Sequence, residues 1–367
     1  MTTEEHLHGL LLGTAIGDSV GLPAEGLSPR AIAKLGWDKT WKQRFFLGRG
    51  MWSDDTEHTI ILTQALLASD ADPKAFQKRL ARDLRFWLAM LPAGVGLATA
   101  RSIFKLWLGI SPDRSGVFSA GNGPMMRAAP IGCLFSGSNK DRLIYNRHQT
   151  RITHSDPKAE HCARAIVELT ALFCQSNEAP SQEKLFDTLL APESSDEFRE
   201  LINCVRNNLA AGEDLDALLS MIGARPKKGV SGYCFHTLAA VLHCGIRHQW
   251  KPEQALPAIW SAGGDTDTSG AILGALCGTL HGASSFPENW LAAIAEWPLT
   301  PSSLSRLADS VAAPEPLTIR PLFHPALLFR NFIFLLIVLS HGFRRLLPIL
   351  GKSELSASAT RTLPSPD

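Results

Sequence analysis

Paired cysteines, an excess of one charge and long apolar runs are all missing from this 367-residue chain, and each absence removes a class of protein. Its seven cysteines (Cys133, Cys162, Cys174, Cys204, Cys234, Cys244 and Cys277) are odd in number and scattered, with no Cys-x-x-Cys pair. That argues against a zinc or disulfide framework and for small buried apolar residues in a reducing compartment, so cytoplasm is the simplest location. A formal net charge of +1 gives no electrostatic case for nucleic acid as the main partner. Met1–His6 has no basic segment leading into an apolar signal core. The C-terminal apolar run Phe332–Leu339 has eight residues against the ~20 needed to cross a bilayer, so spanning is not expected. Period-2 alternation is also absent, whereas apolar residues recur at three- and four-residue spacing in almost every segment. An all-α fold follows.

What the chain does have is oxygen concentrated in two places. Ser261–Gly270 reads Ser-Ala-Gly-Gly-Asp-Thr-Asp-Thr-Ser-Gly and sits between a Gly-Gly hinge and an apolar helix. Far earlier, Ser53-Asp54-Asp55-Thr56 stands directly before the apolar stretch Thr59–Leu67. Either stretch alone reads equally well as a helix cap, since Asp, Ser and Thr satisfy free backbone N–H groups and the positive end of the helix dipole. A cap, however, needs only one such side chain. Brought together, Asp54, Asp55, Asp265 and Asp267 would repel one another unless divalent metal neutralised them. Hard oxygen donors without nearby Cys or paired His favour Mg²⁺ or Mn²⁺ over Zn²⁺, so the expectation is a shared site for two ions.

The remaining pattern is helical and punctuated. Residues 4–22 mix leucines with Gly9, Gly13, Gly17 and Gly21, which predicts a central helix packed closely on a neighbour, since glycine inside a helix otherwise costs about 0.5–1 kcal/mol. Asp18 and Glu25 fall at or just beyond its end. The Gly/Ala-rich stretch Ala271–Leu280 is the predicted neighbour. Gly121-Asn122-Gly123-Pro124 combines a glycine turn with proline at a first helical position, so its N–H groups face an anion or simply make a turn. His154, before Asp156-Pro157, reads on its own as a structural histidine more readily than a catalytic one. The expected organisation is one domain over 1–313, a C-terminal apolar and basic helical extension over 314–350, and a disordered tail over 351–367. The extension reads as a buried helix, with a homodimer or surface association through it as the alternative.

Leu12-Gly13-Thr14-Ala15-Ile16-Gly17-Asp18 through Glu25, Trp52–Thr56, Ser119–Arg127, Thr153–Pro157 and Gly264–Ala271, in this order, resemble the ADP-ribosylglycohydrolase family over roughly residues 5–285. The resemblance implies a compact multi-helix domain with a binuclear Mg²⁺ or Mn²⁺ centre that removes ADP-ribose from a modified side chain or a small conjugate. Position by position, Ser53, Asp54, Asp55, Asp265, Asp267 and Thr268 match metal ligands. Ser119, Gly121, Asn122 and Gly123 match the loop receiving the diphosphate and distal ribose, His154 matches a residue lining that pocket, and Tyr233 matches an aromatic near the ligand. Glu25, with Asp55 and Asp265, forms the expected catalytic set, Glu25 orienting or deprotonating water. One departure stands out. Gly94-Val95-Gly96 occupies the loop where the dinitrogenase-reductase-reactivating type carries Asp-Ile-Gly, which leaves arginine, serine and other linkages open. Another binuclear-metal hydrolase and a catalytically silent ADP-ribose-binding protein are the rival readings.

Overall fold

The computed structural model describes residues 1–176, 178–190, 194–311, 313 and 324–346. Among these the chain is all-α, and β-pairing is confined to isolated bridges between loops. The helices that build the body and its cleft are α1 (Thr3–Gly21), α2 (Asp54–Leu67), α3 (Pro73–Ala89), α4 (Asn139–Thr153), α5 (Pro157–Cys174), α6 (Cys234–Arg247), α7 (Thr266–His281) and α8 (Pro325–Leu346). Their starts follow local chemistry. Thr2 and Glu5 close a capping box on α1. Ser53, Asp72, Ser138 and Asp156 accept backbone N–H bonds at the starts of α2 to α5, and Pro73 and Pro157 occupy first-turn positions that need no N–H.

The spine is the antiparallel pair α1 and α7. A Cβ built on Gly13 or Gly17 would land on the carbonyl oxygen of Gly274 or Gly270, so only glycine allows the two backbones to lie this close. The polar groups exposed by that approach are taken up locally. Trp260 Nε1 donates to Gly17 O at 3.0 Å, Thr266 Oγ1 donates to Gly21 O at 2.8 Å, and His6 Nδ1 lies 2.6 Å from Thr279 O. Because the pair is antiparallel, the C-terminal end of α1 lies beside the N-terminal end of α7. The acidic residues at those two ends are therefore neighbours.

Two helices differ from the sequence reading. α4 was hidden because its buried face carries Arg142, Tyr145, Asn146, Gln149 and Thr150, so no apolar stripe marks it. α8 has 22 residues rather than the eight of the apolar run, and its Pro325–Gly342 stretch is long and apolar enough, by length and composition, to cross a membrane. Arg330 and Asn331 directly precede the run in sequence but are buried at 4% and 3% exposure. Phe334 and Ile337 form a satellite core with Leu22 and Phe45, while Phe329, Phe332, Leu336 and Leu339 are exposed. Within the expected extension the described residues 324–346 carry α8, buried along one face at Leu327, Arg330, Asn331, Phe334 and Ile337, and the expected tail, 351–367, lies outside the described residues. All seven cysteines are free, five of them buried.

Candidate active site

The choice between cap and ligand is decided by which side chains do the capping. At α2 the N-cap is Ser53, whose Oγ accepts from Asp55 N at 3.3 Å, and Asp54 and Asp55 already lie inside the first turn. At α7 the N-cap residue Asp265 makes no side-chain capping hydrogen bond. The carboxylates are surplus to capping at both places.

Asp18 joins α1 to the entrance of α2. Its carboxylate accepts from Ser53 N at 2.9 and 3.0 Å, from Thr56 N at 3.1 Å and from Thr56 Oγ1 at 2.6 Å. Thr268 on α7 completes the triangle by donating Oγ1 to Asp55 Oδ2 at 3.2 Å, the same oxygen that accepts from Ser53 Oγ at 3.0 Å. Asp18 was visible in the sequence only as a residue at the end of α1. Its role as the buried acceptor that orients the Ser53–Thr56 turn depends on tertiary packing.

The opposite side is made of loops laced to one another. Asn122 N donates to Gly232 O at 3.0 Å, Cys234 N to Ala120 O at 2.9 Å, and Asp265 N to Val230 O at 2.8 Å. Gly263 and Gly264 adopt φ of 69° and 80°, and Gly264 N donates to Leu27 O at 2.8 Å, which ties the loop after α1 to the loop before α7. Asn122 Nδ2 donates to Asp265 Oδ2 at 2.6 Å and to Thr237 Oγ1 at 3.0 Å. The His154 ring lies beneath the glycine loop, so that a Cβ on Gly121 or Gly123 would stand 3.0 Å from it.

These elements enclose a cleft of about 590 Å³. Glu25, Asp54, Asp265, Asp267 and Thr268 line one side, while Ser119, Gly121, Asn122, Gly123 and His154 line the other. Gly94 and Gly96 also contribute to the wall, so the Gly-Val-Gly departure falls in the cleft itself. Thr99 and Ser231 line it too, and no motif pointed to them. Ser53 and Asp55 stand one layer behind the acidic wall. Tyr233 is not on the wall. Its backbone pairs with Gly121 and its ring packs on Phe235 and His236, which sets it beside the glycine loop.

The acidic wall is electrostatically unbalanced. Burial first, then Asp18, Glu57 and Glu25, pushes the Asp54 carboxyl well above its usual range. Burial with Asp54, Asp18 and Asp265 does the same to Asp55, and burial with Glu25, Asp265, Asp55 and Asp18 does it to Asp267. Asp18 is raised to about 7 by burial, against the hydrogen bonds from Thr56 and Ser53. Asp55 Oδ1 and Asp267 Oδ1 are buried without a hydrogen-bond partner. Orphaned buried carboxylate oxygens in a like-charged cluster are what a divalent cation would satisfy, and the donor set fits Mg²⁺ or Mn²⁺. The donors face the cleft from separate elements. Among the described residues no group of three or more His, Cys, Asp or Glu side chains is close enough together, as placed, to hold a metal ion.

A buried cation also packs against α2. Arg127 is fully buried, with Nε donating to Gln149 Oε1 at 2.9 Å, Nη1 3.1 Å from His58 Nδ1 and Nη2 donating to Thr153 Oγ1 at 2.7 Å. Burial lowers its pKa to about 9, against the pull of Asp54. Burial and Arg127 hold His154 down to about 3, so its ring is neutral at ordinary pH.

An all-helical body in which two acidic helix entrances face a glycine-asparagine loop defines the class. The chain belongs to the ADP-ribosylglycohydrolase family, whose family model matches residues 1–318, and it is a hydrolase of that family. It is 30% identical over 295 residues to an uncharacterised protein of Archaeoglobus fulgidus, covering 78% of this chain and 91% of the relative. Similarity to the ADP-ribosyl-[dinitrogen reductase] glycohydrolase of Rhodospirillum rubrum is 25% over 298 residues, covering 77% and 88%. Similarity to the ADP-ribosylarginine hydrolase Tri1 of Pseudomonas putida is 28% over 297 residues, covering 78% and 73%. A solved structure described as an ADP-ribosylglycohydrolase-related protein complex superposes with a TM-score of 0.58 at 25% identity, covering 83% of this chain and 96% of the other.

Proposed function

We propose that this cleft binds an ADP-ribose conjugate and hydrolyses the glycosidic bond at the anomeric carbon of its distal ribose, with two Mg²⁺ or Mn²⁺ ions as cofactors. The observation that carries the reading is the meeting of two acidic helix entrances, with orphaned oxygens on Asp55 and Asp267, across one cleft from the Ser119–Gly123 loop. Asp54, Asp55, Asp265 and Asp267 would hold the ions, with Ser53 and Thr268 adding hydroxyl oxygens. The bound ions supply Lewis acidity and fix the ribose hydroxyls.

The rest falls to the protein. Cleavage builds oxocarbenium-like positive charge on the ribose, and a wall rich in carboxylates favours that charge. Backbone N–H groups at the glycine-asparagine turn orient the diphosphate, which places the anomeric carbon by proximity. Glu25, on the cleft wall, orients the attacking water and accepts its proton, and that proton passes to the departing oxygen or nitrogen as the glycosidic bond breaks. With Gly94 and Gly96 where a carboxylate was expected, the wall has no anionic partner there for a guanidinium, which supports substrates linked through serine or other oxygen atoms alongside arginine. The free, mostly buried cysteines support a cytoplasmic setting.

The test is a panel of arginine-, serine- and cysteine-linked ADP-ribosylated substrates, incubated with Mg²⁺, with Mn²⁺ and with chelator, reading free ADP-ribose. Glu25→Gln is expected to abolish release while retaining ADP-ribose binding. Normal turnover by that variant removes Glu25 from the chemistry. Release of phosphate in place of ADP-ribose overturns the reaction class, and tight ADP-ribose binding without metal-dependent release makes the protein a binder.

A further inference from the structure

The family-matched residues end before α8 begins, yet α8 reaches the acidic entrance of α2. Arg330 is buried to 4% exposure. Its Nη2 donates to Trp52 O at 2.6 Å and to Glu296 Oε2 at 2.7 Å, and its Nε donates to Glu296 Oε1 at 2.9 Å. Nη1 lies 3.3 Å from Glu57 Oε1 and donates to Asn331 Oδ1 at 3.0 Å. Glu296 Oε2 in turn accepts from Trp52 N at 3.1 Å. Both backbone polar groups of Trp52 are thus taken by one buried ion pair, on the residue directly before Ser53-Asp54-Asp55. From the other side, Asp18 holds Ser53 N and Thr56 N. The turn that presents Asp54 and Asp55 is gripped at both ends, by α1 and by α8.

We propose that Arg330 is a positioning residue for the site: the guanidinium on the C-terminal helix fixes the Trp52 peptide and so sets the direction in which the acidic entrance of α2 faces the cleft. This rests on the reading of that entrance as a cation site. The geometry suits arginine specifically, because a planar fork serves Trp52 O and the Glu296 carboxylate together while a second nitrogen stays beside Glu57. A lysine keeps the charge but loses the fork.

The test uses the full chain as Arg330→Met, Arg330→Lys and the triple variant Glu57→Gln/Glu296→Gln/Arg330→Met, which removes both carboxylate charges with the cation and leaves no buried charge unbalanced. Two quantities are read: the Kd for Mn²⁺ by calorimetry, and hydrogen exchange of metal-free protein in the peptide spanning 50–57, with α6 as internal control. The expected result is a loss of Mn²⁺ affinity of about 10- to 100-fold, the usual cost of removing a group that orients metal ligands, in both Met variants. Exchange at 50–57 should rise while α6 is unchanged, and Arg330→Lys should recover part of each. Mn²⁺ affinity in the triple variant equal to that of the parent overturns the inference, even if 50–57 exchanges faster, because the helix would then only be holding local structure. If the parent takes up no Mn²⁺, the cation reading fails separately, and exchange alone decides Arg330: faster exchange at 50–57 upholds the anchoring and unchanged exchange overturns it.

Discussion

Buried carboxylates occur in two neighbouring regions of this molecule under opposite conditions. Glu57 and Glu296 lie beneath the entrance of α2 with a resident cation between them, since Arg330 pairs with both. Burial raises Glu57, but Arg330 and the indole N–H of Trp87 oppose it; Arg330 is itself drawn down by burial and more than restored by Glu296 and Glu57. One turn away, Asp54, Asp55 and Asp267 meet burial and one another, and Arg127, which feels Asp54, gives its hydrogen bonds to Gln149 and Thr153. The first acidic set is closed by a paired arginine; under the proposed function the second is the one an exchangeable cation would complete, so stability is expected from the first set and chemistry from the second.

That contrast is broken if the two sets respond alike to substitution. The largest effect is expected for Asp55→Ala, which should lower kcat/KM for ADP-ribose release by about 10³-fold, part of the several kcal/mol a coordinated cation contributes, while urea unfolding of metal-free protein changes little or shows stabilisation. Arg330→Met should do the reverse in the unfolding assay, costing about 3 kcal/mol because two buried carboxylates lose their partner, and the triple variant with Glu57→Gln and Glu296→Gln should recover most of it. An Asp55 variant that unfolds as readily as Arg330→Met erases the distinction.

Divalent ion sharpens the comparison through pH. A carboxyl whose folded pKa is raised adds stability that is fully present below its unfolded value and is lost as pH rises through the folded value. For Asp18 that window runs from 3.8 to about 7, and Asp54, Asp55 and Asp267 shift in the same direction. Metal-free protein should therefore lose this contribution as pH rises toward 7, and the ion should restore it. Mn²⁺ at about 100 times its Kd should stabilise by about 2.7 kcal/mol, with the increment in Tm larger at pH 7.5 than at pH 5.5, where protons compete for the same oxygens. An increment independent of pH would separate ion binding from these acids. The smallest effect is expected at Tyr233→Phe, within about twofold in both KM and kcat, as for substitutions away from a site, because the ring packs on Phe235 and His236 behind the glycine loop.

Much of the acidic wall was legible because its chemistry is local. Ser53-Asp54-Asp55 and Asp265-x-Asp267 put more oxygen at a helix start than capping can use, and the structure divides the work accordingly between Ser53 and the carboxylates. The glycines of α1 announced a close neighbour, since their cost needed a compensating contact. What stayed hidden depends on partners distant in sequence or on polar burial. α4 packs a polar face, so hydrophobic periodicity passes over it. Asp18 matters through the amides of Ser53 and Thr56, which its own surroundings in sequence do not reveal. Arg330 merely flanks the apolar run in sequence, and only the fold turns it toward Trp52, Glu57 and Glu296. Tyr233 was assigned to the ligand by resemblance alone, and backbone pairing sets it beside Gly121.

The glycine contact between α1 and α7 makes their alignment digital. Because the facing glycines repeat every fourth residue, an intermediate slide would drive side chains into carbonyl oxygens, and the next alignment that keeps glycine opposite glycine is a whole rung away, about 6 Å along the axis. A displacement of that size would carry Asp18 out of reach of Ser53 and Thr56 and tear Thr268 from Asp55. The spacing between the two acid-bearing ends is therefore counted out in steps of four residues, and small strains elsewhere in the molecule have no graded way to alter it.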